Sequence, residues 1–164
     1  MSAAVEEGLR VRELHRLTDP AVRQSAAVED LVERAAVAAG VPMATLNLLD
    51  ADTQWQPATS GFAGTPAPRS EAMCDVTLRL GGPVHVSDAS ADPRFADSPW
   101  VDGRLGNVRF YASVPLRTSR DLIIGTLCTF DIEPHSIDDA QVRQLEQLAS
   151  ELVDTLESEA DARD

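Results

Sequence analysis

Residues 88–131 read DASADPRFADSPWVDGRLGNVRFYASVPLRTSRDLIIGTLCTFD, a turn-rich half followed by two apolar runs. Between Ala89 and Gly106 stand two prolines, two glycines and five aspartate or arginine charges, which predicts a long loop with at most one or two helical turns. The period then changes to two. Phe110, Ala112, Val114 and Leu116 alternate with Arg109, Tyr111, Ser113 and Pro115, as in a strand with one apolar face. Residues 122–131 are apolar almost without interruption, as in a central strand covered on both faces, and the TSRD between the two runs makes a hairpin turn. Phe95, Trp100, Phe110 and Tyr111 fall in this stretch beside acidic residues and an arginine. They read either as a pocket wall or as large buried area in the core.

Upstream, residues 83–88 read as a short strand whose proline places it at an edge. Residues 71–80 read as a short helix stopped by Gly81 and Gly82, and residues 61–70, rich in Gly, Pro, Ala and Ser, as a mobile connection. Residues 43–50 and 55–60 flank a polar ADTQ and predict a second hairpin. Asp19 and Pro20 are a helix-start signal ahead of Val28, Leu31, Val32, Ala35, Ala36 and Ala39, a stripe at helical spacing closed by Gly40 and Pro42. Residues 3–17 carry Val5, Leu9, Leu14 and Leu17 in imperfect phase, as in a partly exposed helix.

Downstream, Ser136 and Asp139 fit a capping box before a stripe of Leu145, Leu148, Ala149, Leu152, Val153 and Leu156. Hairpins and long loops join the strands. The fold class expected is therefore α+β, an antiparallel sheet with terminal helices on one face and pocket loops on the other.

At 164 residues the chain fits one domain. Its net charge of −13 opposes nucleic acid and anionic membranes as partners. No apolar run is long enough to span a bilayer and the first ten residues lack signal-peptide character, so a cytoplasmic location is expected. Two cysteines, Cys74 and Cys128, lie in apolar runs and read as buried reduced thiols. Near a helix start, Cys74 has a second reading as a thiol whose pKa the helix dipole lowers. The histidines, His15, His85 and His135, show no metal-ligand spacing.

The combination of LNLLDADTQW (46–55), PRSEAMCDVTL (68–78), VSDASADPRFADSPWV (86–101), RFYASVPL (109–116) and IIGTLCTFD (123–131) resembles the GAF domain family over about residues 20–160. The resemblance implies a five- or six-stranded, PAS-related antiparallel sheet, with a ligand pocket between the sheet and the loop. It leaves residues 1–19 as a helical extension and 161–164 as a tail. It names no ligand, since family members bind chemically unrelated molecules. The N-K-x-n-F-x-x-x-D-E pattern of the cyclic-nucleotide subgroup is absent, and Cys74 lacks the neighbouring histidine of tetrapyrrole attachment. Free methionine sulfoxide reductases, the enzymes of this family, carry a reactive cysteine in the loop that residues 89–108 correspond to, and here that loop has none.

The resemblance places Met73, Cys74, Asp88, Phe95, Trp100, Val101, Arg109, Tyr111 and Ser113 as ligand-binding candidates. Arg109 reads either as a guanidinium offered to an anionic ligand or as an internal ion pair with Asp88, Asp92 or Asp97 that fixes the loop. No catalytic residue, metal site or cofactor is legible. The expected function is a non-catalytic, small-molecule-sensing regulatory protein of bacterial signal transduction. With no kinase, cyclase or DNA-binding segment among the 164 residues, its signal is expected to leave by contact with a signalling partner. A homodimer through the first and last helices is expected as well. The alternatives are a thiol-dependent reductase acting through Cys74 and a ligand-free interaction module.

Overall fold

A computed structural model describes residues 2–18 and 25–163. The start signal at Asp19 and Pro20 lies outside the described residues. Six strands, β1 (Met43–Leu49), β2 (Thr53–Ser60), β3 (Ala67–Pro68), β4 (Val84–Val86), β5 (Phe110–Arg117) and β6 (Ile123–Asp131), form one sheet in the order β3-β2-β1-β6-β5-β4. Every neighbouring pair is antiparallel. The four helices are α1 (Ala3–Leu17), α2 (Ala26–Ala39), α3 (Asp75–Leu80) and α4 (Asp139–Arg163). This is the α+β architecture expected, with six strands.

The period-two pattern divides the protein into two cores. Ala44, Leu46, Phe110, Ala112, Val114, Leu116 and Leu127 face the helical layer, where Leu14 and Leu17 of α1, Val28 and Val32 of α2 and Leu145, Leu152 and Leu156 of α4 cover them. Leu49, Tyr111 and Cys128 face the other way and pack with Met73, Cys74, Phe95, Val101 and Val108. Strand β6 lies between β1 and β5 and is buried along nearly its whole length. At Gly125 a Cβ would run into the Asn47 carbonyl, so only glycine lets β6 approach β1 where the β1–β2 register shifts.

Three local readings change. Residues 61–70 were expected to be a connection only, but Ala67 and Pro68 pair with Gln54 and Thr53 as the edge strand β3. A two-residue strand containing proline has no alternation to detect. The helix expected over residues 71–80 is a 3-10 turn at Arg69–Glu71 followed by the shorter α3, which Gly81 closes in the left-handed region at φ 70°. The α4 cap is Asp138 rather than Ser136. Asp138 Oδ1 accepts from Gln141 N at 2.8 Å, and Gln141 Oε1 accepts from Asp138 N at 3.0 Å, a reciprocal box shifted two residues along the chain.

Candidate functional site

On the sheet face opposite the helices lies a cavity of about 220 Å³. Its floor comes from alternate residues of four strands: Met43, Thr45 and Asn47 of β1, Gln54 and Gln56 of β2, Tyr111 of β5, and Cys128 and Phe130 of β6. Its walls are Met73 and Cys74 before α3, Trp100 and residues 105–108 of the long loop, Phe62 and Ile132. Phe62 meets Phe130 edge to face, with ring centroids 5.0 Å apart.

The floor is a hydrogen-bonded network centred on a thiol. Cys128 Sγ donates to Ser113 Oγ at 3.3 Å, accepts from Asn47 Nδ2 at 3.3 Å, and lies 3.0 Å from Thr126 Oγ1 and 3.4 Å from the Tyr111 hydroxyl. Thr45 Oγ1 and Gln56 Nε2 both donate to Asn47 Oδ1 at 3.1 Å. Cys74 Sγ donates to Gln54 Oε1 at 2.8 Å. Burial pushes the Cys74, Cys128 and Tyr111 pKa values upward, so all three stay protonated at neutral pH. The helix-dipole reading of Cys74 is thereby corrected: desolvation outweighs a six-residue helix whose N-cap it occupies.

The loop over the cavity is fixed by its own charges. Arg109 Nη1 donates to the Val101 carbonyl at 2.9 Å and to the Val108 carbonyl at 3.0 Å. Asp92 pairs with Arg94 at 2.9 Å and Asp102 with Arg104 at 2.7 Å. Asp88 accepts from Ser90 N at 3.0 Å and from Ser90 Oγ at 2.6 Å. The Ser90 hydroxyl first, and more weakly the Arg109 charge, hold the Asp88 carboxyl below the usual range. Phe95 is buried with its ring 5.4 Å from that of Tyr111.

Of the nine candidate residues, Met73, Cys74, Trp100 and Tyr111 line the cavity together, and Asp88, Phe95, Val101, Arg109 and Ser113 do not. Phe95 and Val101 are core beneath the loop. Arg109 and Asp88 are bound up in loop geometry. Ser113 lies on the cavity face of β5 but is covered by α3, where Thr77 Oγ1 donates to its hydroxyl at 2.8 Å. The residues that sequence reasoning missed are chiefly the polar floor, Thr45, Asn47, Gln54 and Gln56. A period-two signal existed for them: polar side chains two apart, on strands whose other face is apolar.

The histidines carry no metal spacing in sequence, yet the fold brings Asp131, Glu133 and His135 within 4.8 Å of one another, with His135 Nε2 already 2.6 Å from Asp131 Oδ2. Among the described residues no helix is long and apolar enough to cross a membrane.

Over 109 residues the chain is 38% identical to a cyclic di-GMP phosphodiesterase of Pseudomonas aeruginosa, a match covering 66% of this chain and 18% of that protein. The chain thus spans about a fifth of the curated relative it matches. Two solved structures share the fold across 99% of the chain. One is the GAF domain of an Acinetobacter phosphoenolpyruvate-protein phosphotransferase, with TM-score 0.66, 20% identity and 98% of that chain covered. The other is the free methionine-R-sulfoxide reductase of Neisseria meningitidis in complex with its substrate, with TM-score 0.65, 22% identity and 95% of that chain covered. These matches correct the reading of the chain as non-catalytic, because one relative is a phosphodiesterase and one structural neighbour is a reductase. The model that describes the GAF domain matches residues 23–156, from α2 through most of α4 and across the whole sheet and cavity, and the chain belongs to the GAF domain family.

Proposed function

We propose that the chain is a regulatory GAF domain that binds a small molecule in the cavity between the sheet and the 89–108 loop. The observation that carries this reading is the cavity itself: mostly apolar walls around a few convergent polar groups, on a sheet whose other face the helices already cover. Occupancy would bear on the loop and on Met73 and Cys74 before α3, and would reach α1 and α4 through the sheet they pack against. The P. aeruginosa relative supports a setting in bacterial signal transduction, where a domain of this kind occupies a fraction of an enzyme of cyclic di-GMP turnover. A signalling partner and a cytoplasmic location belong to the same proposal, as does the division into an extension at 1–19, a domain at 20–160 and a tail at 161–164.

Native mass spectrometry of freshly purified protein tests the reading. A retained non-protein mass, lost on replacing Trp100 with arginine, which removes an aromatic wall of the cavity and puts a charge in its place, is the expected result. Absence of any retained mass, with no change in melting temperature across a metabolite library, would leave the domain as a ligand-free interaction module.

A second reading is favoured by one observation, that both cysteines line the same cavity. In a thiol-dependent reductase a sulfoxide oxygen would leave as water while two thiols become one disulfide. Turnover of free methionine sulfoxide that Cys74→Ser and Cys128→Ser each abolish would establish it. Undiminished turnover in both variants would remove it.

A further inference from the structure

We propose that the cavity ligand is an uncharged aromatic amide or lactam, and that the site discriminates against carboxylates, phosphates and zwitterions. The inference rests on the small-molecule reading above and gives it a chemical class. A quarter of the chain's residues are charged, yet the cavity lining contains no Asp, Glu, Lys, Arg or His. Charged residues next to the lining in sequence are partnered elsewhere, Asp75 with Arg69 and Arg79, Arg104 with Asp102, Arg109 with two backbone carbonyls and Asp131 with His135. Raised by burial, the two thiols and the Tyr111 hydroxyl add no charge of their own at neutral pH.

An anionic group entering here would lose its hydration and meet no cation, a cost that a net charge of −13 over the chain increases. What the cavity offers instead is primary amides set among flat or flexible apolar walls such as Trp100 and Met73: Asn47 Oδ1 is taken by Thr45 and Gln56, and the Gln54 and Gln56 carbonyls each accept one internal bond, which leaves amide N–H groups of Asn47, Gln54 and Gln56 and both ends of Asn107. Amides carry both a donor and an acceptor and so complement the N–H and C=O of an amide or lactam edge. Aromatic and thioether walls favour a ring. At about 220 Å³ the cavity is below the roughly 300–1,000 Å³ of sites for drug-sized ligands, which restricts it to one or two rings.

Isosteric pairs that differ only in charge provide the test. Calorimetric titration of the full chain would compare nicotinamide with nicotinate and indole-3-acetamide with indole-3-acetate, with free methionine sulfoxide as a zwitterionic arm. In at least one pair the amide is expected to bind at least tenfold more tightly than its carboxylate, and methionine sulfoxide is expected to bind more weakly than that amide. Replacing the exposed rim residue Asn107 with arginine should narrow or invert the ratio while the melting temperature stays unchanged. Equal or tighter binding of the carboxylates or of methionine sulfoxide would overturn the ligand class and leave the small-molecule reading standing. Failure of all five probes would also overturn the class, and the retained-mass measurement then decides separately whether the cavity takes a ligand at all.

Discussion

Arg10 and Glu13 show how a charged residue can occupy a core position that hydropathy assigns elsewhere. In α1 the inward face is Arg10, Glu13, Leu14 and Leu17, an i, i+3, i+4, i+7 set, while Val5 and Leu9 lie partly or fully exposed. The apolar residues alone are out of phase because charges fill half of the buried face. Both charges are partnered: Arg10 donates to the Leu49 carbonyl and to Glu7, and Glu13 accepts from Thr118 Oγ1 at 2.9 Å and from Arg16 Nε at 2.7 Å. Glu7 also binds Arg69, which reaches Asp75 at 3.0 Å, so a chain of ion pairs joins α1 to the start of α3 beside the cavity. The Arg10 hydrogen bond, followed by that from Arg69, lowers the Glu7 pKa from 4.5 to about 2. A depressed carboxyl adds stability that is complete above its unfolded value and is lost as pH falls through the folded one. The urea midpoint is therefore expected to drop between about pH 4.5 and about pH 2, with a shallower drop in Glu7→Gln; identical slopes in the two proteins would show that the ion-pair chain contributes nothing. The thiols give a second expectation at this scale: because Cys74 and Cys128 are buried and their pKa values are raised, iodoacetamide at pH 8 should label them only on unfolding. Rapid labelling of the folded protein would favour the reductase reading instead.

Among the elements, those with a long, regular period were legible and those set by a few hydrogen bonds were not. The alternation in 110–117 identified β5 together with its two faces, the continuous run in 123–131 identified β6 as a strand covered on both sides, and the stripe from Leu145 to Leu156 identified α4. Strand β3 was hidden because two residues carry no period, and the helix ahead of α3 was overextended because Met73 and Cys74 are apolar for the sake of the cavity rather than of a helix. For the site, the aromatics and the loop pointed to the right face of the sheet. Arg109 misled because a charge beside aromatics looks the same in sequence whether it meets a ligand or two carbonyls. The α4 cap turns on choosing between two nearby acceptors, Ser136 and Asp138. Asp138→Ala should cost about 1 kcal/mol, in the usual range of roughly 0.5–2 for a lost cap, while Ser136→Ala should be close to neutral in a denaturant titration. Equal losses in the two variants would contradict the Asp138 cap.

The whole molecule has one sheet face closed by helices and the other by loops, so contact with another protein can use the sheet edges, the outer surface of the loops or the outer helical surfaces. The edges are a poor template, since β3 has two residues, one of them Pro68, and β4 has three. Apolar side chains are exposed on both sides of the sheet, Leu80, Leu105 and Ile132 on the side of α3 and the loops and, on the helical layer, Val5 and Leu9 on α1 and Val37 on α2, at 52%, 36% and 80%. A second copy approaching that layer brings its own net charge of −13, so the apolar gain and the electrostatic cost oppose each other. Salt screens the cost and leaves the gain, because the Debye length is about 10 Å at about 0.1 M and shorter above it. The homodimer we propose through the terminal helices should therefore strengthen as ionic strength rises from about 0.05 to about 0.5 M, and sedimentation velocity would register a growing dimer fraction. Val5→Glu with Leu9→Glu, at positions whose exposure spares the fold, should return the protein to monomer at every salt concentration. A monomer at high protein concentration in high salt would eliminate the helical dimer, and a dimer indifferent to the double substitution would move the interface off α1.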